Sequence, residues 1–183
     1  KPFTQYIIGQ QIGQTGYDFY VAAQNLEYVK SLLFVKVGDR TKIKPGVQAA
    51  IGESNEVLFS NKEVHEGFYA AYVVKKAAEL SGAVVTEAKQ DIYQGMDPGM
   101  AGRPIVTLKM TPEGSKRWAV VTGANINKRI AVVLDDKVQS APNIIEKISG
   151  GNTQITGMDN MEEAKSLAIA LRAGSLPAPV HII

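Results

Sequence analysis

In the second half of the chain, hydrophobic and polar residues repeat either every two residues, as in a strand, or about every 3.6 residues, as in a helix. The change from one period to the other predicts where strands and helices begin. Residues 104–110 alternate between apolar and polar side chains, which predicts a half-buried strand. Thr111, Pro112 and Glu113 follow as a cap, a first helical residue and an acidic first turn, so a helix is predicted next. Its buried stripe is predicted to comprise Ser115, Trp118, Ala119 and Thr122.

The last helix has the most complete set of local signals. Asp159 or Asn160 is expected to cap its first turn, with Glu162 or Glu163 reciprocating three residues later. Gly174 supplies the stop, and a final strand is predicted at 178–183. One apolar face is predicted to comprise Ala164, Leu167, Ala168 and Leu171.

Between these helices the pattern predicts strands at 130–134, 137–140 and 153–156, and a short element at 143–148. Asp135 and Asp136 form the link between the first two strands, because aspartate tolerates the positive φ of a two-residue hairpin turn.

The first half is less regular. Gly9, Gly13 and Gly16 punctuate a polar opening that predicts loop or linker. Residues 25–37 have apolar side chains at helical spacing with Asn25 as cap, and Lys44, Pro45 and Gly46 are predicted to end that unit. Further runs are two predicted strands, 56–60 and 67–75, and one segment, 84–92, that is ambiguous between strand and helix. The order of elements predicts an α+β fold with a mixed or antiparallel sheet and helices on one face.

Composition narrows the classes of function. The chain has 183 residues, 20 basic and 18 acidic side chains and a net charge of +2, which is too balanced for a nucleic-acid groove. No apolar stretch is long enough to span a membrane. Cysteine is absent, which excludes disulfides and thiolate metal sites. The first residue is Lys1, and both ends are expected to be cut from something longer.

Chemically reactive side chains are scattered. Asp135 and Asp136 could serve a metal or acid/base site only with further ligands, so a turn is favoured. His65 and His181 lack partners at the spacing of a zinc site. The early glycines do not have the spacing of a phosphate loop. The sequence therefore predicts no catalytic residue, no cofactor and no metal, and an enzyme is not favoured.

The second half resembles the SecD and fused SecDF family of protein-export membrane proteins. The resemblance covers about residues 84–180 and is carried by the order of PIVTLKM, Gly114, Trp118, IAVVLD, Ser140-Ala141-Pro142, Ile155-Thr156-Gly157 and LRAGSLPAP. The chain departs from the pattern at Met158 and Asp159, where an aromatic residue usually stands first. It departs again at Asp136, where glycine is usual.

The resemblance implies a place and an activity. The domain would be the first large extracytoplasmic, periplasmic loop of a subunit in the cell inner membrane, with ferredoxin-like elements and base and head subdomains. It would engage an emerging unfolded preprotein and move relative to its base, driven by the proton-motive force. Its other partners would be SecF and the Sec channel, contacted through transmembrane helices that this chain lacks. Residues 1–80 would form a variable, base-like part and residues 81–183 the head-like module, with 159–183 as a segment that could return to the base.

Two rival functions remain open. One is a structural docking module that contacts other Sec or membrane subunits without binding substrate. The other is a hydrolase or metal enzyme, which requires Asp135, Asp136 and a histidine to converge on one pocket.

Particular residues can be assigned to the favoured function. Met96 and Met100, in the loop DPGMAG, are the expected substrate contacts because methionine adapts to varied partners. Gly82 and Gly157 are the expected hinges of a rigid-body movement.

Overall fold

The computed structural model describes residues 7–12, 16–96, 98–172 and 180–182. The chain divides into two compact units. The first contains the residues up to Ala77 together with Asp136–Val138, and the second contains Ala78–Asp135 together with the residues from Gln139 onward. Both units combine strands and helices, which confirms the predicted α+β class.

The described elements of the first unit begin with two strands and continue as alternating helices and strands. They are β1 (Ile7–Ile12), β2 (Gly16–Ala22), α1 (Leu26–Leu33), β3 (Phe34–Val37), β4 (Arg40–Ile43), α2 (Pro45–Ile51), β5 (Asn55–Ser60) and β6 (Phe68–Lys75).

An antiparallel sheet in the order β1-β2-β6-β5 forms the framework of this unit. Lys137 and Val138 add to it in parallel beside β5, opposite Phe59 and Ser60, so the sheet is mixed as predicted. The backbone N–H of Asn61 donates to the carbonyl of Val138 at 2.8 Å and extends that pairing by one bond. Strands β3 and β4 form a separate two-stranded ribbon.

Four predictions for this part of the chain are wrong. The opening around Gly9 and Gly16, predicted as loop or linker, forms β1 and β2, because their backbone groups pair with each other and β2 pairs with β6. The helix from Asn25 ends at Leu33, and the apolar residues after it pair as β3. Asn25 makes no side-chain cap there. Pro45 begins α2 rather than ending a unit, since proline at a first helical position forfeits no hydrogen bond.

Helix α1 packs its buried face onto this sheet. Its apolar positions are spaced four residues apart, so they lie on one side of the helix. Phe34 adds a ring contact with Phe59, at 6.5 Å between centroids. The buried cluster comprises Val21, Val29, Leu33, Val57, Phe59 and Ala71.

The described elements of the second unit contain two helices among six strands. They are β7 (Val85–Ile92), β8 (Pro104–Met110), α3 (Pro112–Ala124), β9 (Ile130–Leu134), β10 (Lys137–Ser140, of which the last two residues belong to this unit), β11 (Asn152–Ile155), α4 (Met161–Arg172) and β12 (Val180–Ile182).

A three-stranded antiparallel sheet in the order β11-β8-β7 is the framework of the second unit, and β9 pairs separately with β12. The ambiguous segment 84–92 is thus the strand β7. Helix α4 packs on β7 and β8 with the four positions that the sequence predicts, and all four are buried. Met158 is also buried in this cluster.

Both helices of this unit begin as predicted. The hydroxyl of Thr111 accepts from the N–H of Gly114 at 3.1 Å. At α4, the Asn160 side chain accepts from the N–H of Glu163 at 2.9 Å, and the Glu163 carboxylate accepts from the N–H of Asp159 at 2.8 Å. The pair resembles a capping box, but the return bond from Glu163 goes to Asp159, one residue before the Asn160 cap. The Gly174 stop lies outside the described residues.

The buried stripe of α3 differs from its prediction. Trp118 and Thr122 are buried, but Ser115 and Ala119 are only half-buried. Gly114 and Val121 complete the buried face instead. The segment 143–148, predicted as a short element, has no helix and contributes only an isolated bridge between Asn143 and Arg129. Among the helices of the described residues, none combines the length and the hydrophobicity of a membrane-spanning segment.

Candidate apolar groove in the second unit

A groove of about 400 Å³ opens in the second unit. Its lining comes from α3, α4, the sheet β11-β8-β7, strand β9 and the loop that precedes β11. This volume lies within the range of about 300–1,000 Å³ that is typical of ligand pockets. The apolar side chains that line it are Leu80, Val85, Leu108, Met110, Trp118, Ile130, Val132, Pro142, Ile144, Ile145, Ile148, Ile155 and Leu171.

Trp118 lies on the buried face of α3 and forms part of the wall of the groove. The indole N–H donates to the hydroxyl of Thr153 on β11 at 2.7 Å. Since both side chains are buried, this bond satisfies a donor that would otherwise be costly to bury. The ring is therefore held in one orientation against the groove.

Thr122, one turn further along α3, secures the other end of the wall. Its hydroxyl donates to the carbonyl of Trp118 at 2.8 Å and accepts from the N–H of Ile148 at 3.0 Å. Among the described residues, no buried side-chain nitrogen or oxygen lacks a hydrogen-bond partner. The groove thus offers apolar surface without an unsatisfied polar side chain, which favours apolar ligand groups.

The lip of the groove is formed by the loop between Ser140 and β11. Ile144 is 5% exposed and belongs to the buried cluster with Trp118, whereas its neighbour Ile145 is 84% exposed. Backbone bonds from Ile144 to Lys128 and from Ile130 to Pro142 hold the loop in place. An isoleucine so exposed at the mouth of an apolar groove is positioned to contact a ligand.

Charge is sparse around the groove. Glu146 is the single ionisable residue in its described lining. The opposite face of the sheet is different, because Glu87 forms ion pairs there with Lys109, at 2.8 Å, and with Lys89. The hydrogen bonds from Lys109 and Lys89 lower the pKa of Glu87 to about 2.

The predicted substrate contacts lie elsewhere. Met96 is fully exposed and Met100 half-buried, both in the connection between β7 and β8, and neither lines the groove. Whether they touch substrate stays a prediction. Gly82, a predicted hinge, is buried and lines the groove. Gly157, the other predicted hinge, is exposed with φ 92°. Their role as hinges also stays a prediction.

The residues of the enzyme hypothesis lie outside the groove lining. Asp135 and Asp136 are exposed in the turn after β9, with φ of 50° and 58°. His65 is exposed and its ring lies against that of Tyr20, with 5.2 Å between centroids and the planes tilted by 56°. The backbone of His181 pairs with Ala131. In the described ranges, no three histidine, aspartate or glutamate side chains come together as a metal site would require.

Sequence reasoning missed the groove itself. Its lining residues are spread from Leu80 to Leu171, so no local pattern joins them. The one available signal was Ile145, an apolar residue followed by Glu146 and Lys147 in a segment without helical or strand periodicity. Without such a periodicity, Ile145 cannot be assigned to the buried face of a helix or strand. An exposed apolar side chain of this kind can mark a contact surface.

The chain is similar in sequence to SecD and SecDF proteins. A family model described as SecDF, P1 head subdomain, matches residues 55–178. The protein translocase subunit SecD of Calditerrivibrio nitroreducens is 51% identical over 112 residues, covering 61% of this chain and 21% of its own length. SecD of Rhodothermus marinus is 40% identical over 144 residues, covering 76% of this chain and 22% of its own.

The fused form is similar as well. Protein translocase subunit SecDF of Thermus thermophilus is 49% identical over 103 residues, covering 56% of this chain and 13% of its own. A solved structure of SecDF, described as a membrane component that enhances protein export, aligns at 23% identity over 96% of each chain, with a TM-score of 0.49. The chain spans about a fifth of the length of the SecD relatives it matches.

Proposed function

Because the chain belongs to the family of the SecDF P1 head subdomain, we propose that it is the extracytoplasmic domain of a SecD-type subunit of the Sec preprotein translocase. In this proposal it assists export by engaging the emerging preprotein through the apolar groove. Its further partners are SecF and the Sec channel, contacted through membrane-spanning parts of the parent protein.

The family supports a role in protein transport. The SecD and SecDF relatives are all described as protein translocase subunits. The resemblance seen in the sequence is confirmed by the family match over residues 55–178.

The groove is the observation that supports substrate engagement. A preprotein in transit is unfolded and exposes apolar side chains, which lose contact with water when they enter an apolar groove. The groove bounded by Trp118, Ile144 and Ile145 accepts such groups without leaving a buried polar side chain unpaired. Shape and apolarity, without a charged centre, give the low sequence preference that an export component needs.

Movement driven by the proton-motive force is the second part of the proposal. In this proposal, proton transfer takes place in the membrane-spanning parts of the parent protein. Distances measured by fluorescence energy transfer between labels at Lys36 and Lys116 in the parent protein should change when the proton-motive force is applied. One fixed distance under both conditions would contradict the movement and leave the groove proposal intact.

Site-specific photocrosslinking tests substrate engagement. A photoreactive phenylalanine replaces Ile145 in the parent protein, and a preprotein arrested in translocation is irradiated in membrane vesicles. Val120 provides a matched control, because it is 70% exposed on α3 and does not line the groove. We expect preprotein adducts at position 145 and few at position 120.

The rival function gives a different result. A structural docking module predicts adducts of position 145 with other membrane subunits and none with preprotein. Equal preprotein adducts at positions 145 and 120 would indicate proximity to the translocation path without specific engagement, and would also contradict the groove proposal.

A further inference from the structure

Strand β11 is an open edge that borders the groove. It pairs with β8 on one side, and no other described strand pairs with it on the other. Asn152, Thr153, Gln154 and Ile155 all line the groove. The unpaired backbone groups of an edge strand are donors and acceptors that another extended chain can satisfy.

The other edge of the same sheet, β7, is protected. Its ladder with β8 is interrupted between Val85 and Glu87, and it carries the charged residues Glu87, Lys89 and Asp91. Irregular pairing and charge are devices that discourage an added strand. Strand β11 has a regular ladder of four pairs and no charged residue or proline. The sheet is therefore open to pairing on the groove side.

The two faces of β11 differ in chemistry. Thr153 and Ile155 are buried on the face that carries Leu108 and Val106, and they alternate with exposed Asn152 and Gln154. The exposed pair shares its face with Thr107 and Lys109, across a shallow concavity also lined by Lys89 and Glu87. A strand placed beside β11 has the same alternation, so every second side chain faces the apolar groove.

We infer that the groove binds an extended polypeptide segment that adds to the free edge of β11 as a further strand. Its alternate apolar side chains enter the groove beside Trp118, and its intervening polar side chains face the Lys109 side of the sheet. Acidic side chains are favoured there, because Lys89 and Lys109 line that concavity with one carboxylate, Glu87. This inference rests on the proposed function and specifies how the substrate is recognised.

Recognition through the backbone suits a varied substrate. Main-chain hydrogen bonds are the same for every sequence except at proline, so they contribute affinity without selecting side chains. The groove then requires only that every second side chain be apolar. An unfolded preprotein contains segments of this kind, because every sequence that later forms a half-buried strand alternates apolar and polar side chains.

A peptide titration provides the test. The probe is an acetylated, amidated peptide with leucine at every second position and threonine or glutamate between. Trp118 is the one tryptophan of the chain, so intrinsic fluorescence reports occupation of the groove directly. Two derivatives carry backbone N-methyl groups, one at the leucines and the other at the intervening residues.

The two derivatives separate edge pairing from simple apolar binding. In an extended peptide, successive N–H groups point to opposite edges of the strand. When the leucines face the groove, the N–H groups that point toward β11 therefore belong either to the leucines or to the intervening residues, but not to both. The derivative whose N-methyl groups replace the N–H groups facing β11 should bind roughly ten-fold more weakly, because those hydrogen bonds are lost. The other derivative should bind with nearly the affinity of the unmodified peptide. Equal affinities of the two derivatives would overturn the inference.

Amide hydrogen exchange gives a second readout. The unmodified peptide should slow exchange at alternate amides of residues 152–155, those that do not bond to β8, and leave the amides of β7 unchanged. Absence of any Trp118 response would contradict the proposed function as well. A normal Trp118 response without added protection in β11 would leave that function intact and overturn only strand addition.

Discussion

The indole N–H of Trp118 and the hydroxyl of Thr153 form a 2.7 Å hydrogen bond that ties helix α3 to the edge strand β11. Replacing Thr153 with valine keeps the shape of the side chain but removes the acceptor, so a buried N–H loses its partner. We expect Thr153→Val to lower the free energy of unfolding by about 1–3 kcal/mol. Urea denaturation followed by tryptophan fluorescence measures this directly.

Thr41→Val is the control for that substitution, because Thr41 is an exposed threonine on β4. Its effect should stay within about 0.5 kcal/mol. If both variants unfold at the same urea concentration as the original chain, the Trp118–Thr153 bond makes no net contribution to stability.

Ile145 offers a way to impair the groove without destabilising the fold. Since this side chain is 84% exposed, Ile145→Asp should change the free energy of unfolding by less than about 0.5 kcal/mol. It should nevertheless weaken binding of the leucine-rich peptide roughly ten-fold, because it places a charge where apolar side chains dock. Val120→Asp, on the opposite side of α3 from the groove lining, should leave peptide affinity unchanged in the same Trp118 titration.

Local chemistry in the sequence was sufficient to predict α4 and its cap. Asn160 and Glu163 have the spacing of a capping box; Asn160 caps the N–H of Glu163, and the Glu163 carboxylate returns a bond to the neighbouring Asp159. Thr111 likewise caps α3 as predicted. Such elements are encoded within a few residues, so no knowledge of tertiary neighbours is needed to find them.

Elements that depend on distant partners could not be found in this way. Strand β2 forms by pairing with β6, which is distant in sequence. The end of α1 could not be located either, because β3 begins at Phe34 directly after Leu33 and continues the run of apolar residues. The groove is the extreme case, since Trp118 meets Thr153 only once α3 and β11 have packed. No local pattern in the chain contains that information.

A substitution in the turn after β9 should increase the stability of the fold. Asp135 and Asp136 both have positive φ, at 50° and 58°, which is the conformation of a two-residue hairpin turn with a preference for glycine at its second position. We expect Asp136→Gly to raise the free energy of unfolding by about 0.5 kcal/mol, and Asp136→Val to lower it by about 1–2 kcal/mol. Urea midpoints in the opposite order would contradict this account of the turn.

Stability should depend on the ionisation of Glu87 in acid. Hydrogen bonds from Lys109 and Lys89 lower the pKa of Glu87 to about 2 in the folded chain. A lowered pKa means that its stabilising contribution is complete above the ordinary glutamate pKa and is lost as the pH falls toward 2. Glu87→Gln should therefore reduce the loss of stability over that interval, measured by urea denaturation at several pH values.

Carboxyl resonances followed by NMR test the cause. The pKa of Glu87 should rise toward its ordinary value when concentrated sodium chloride screens the two lysines, because the ion pairs lie at the surface. A pKa that does not respond to salt would show that the lysines are not its cause.

Met96 provides the test of the loop prediction. It is fully exposed in the connection between β7 and β8, where a flexible apolar side chain could adapt to different segments. A photoreactive group at position 96 of the parent protein should give preprotein adducts, with Ile169 on α4, which is 49% exposed, as the control position. Adducts at 145 but none at 96 would restrict substrate contact to the groove.

The short pairing of Lys137 and Val138 beside β5 has a consequence for biosynthesis. The residues that complete the edge of the first sheet are synthesised long after the strand they cover, since Val138 lies opposite Ser60, 78 positions earlier in the chain. Until then, β5 presents apolar Val57, Leu58 and Phe59 along an uncovered edge, and the N–H of Asn61 lacks the carbonyl it bonds in the finished fold. A chain cut after Ala77 retains that uncovered edge permanently, so we expect it to aggregate where the whole chain does not.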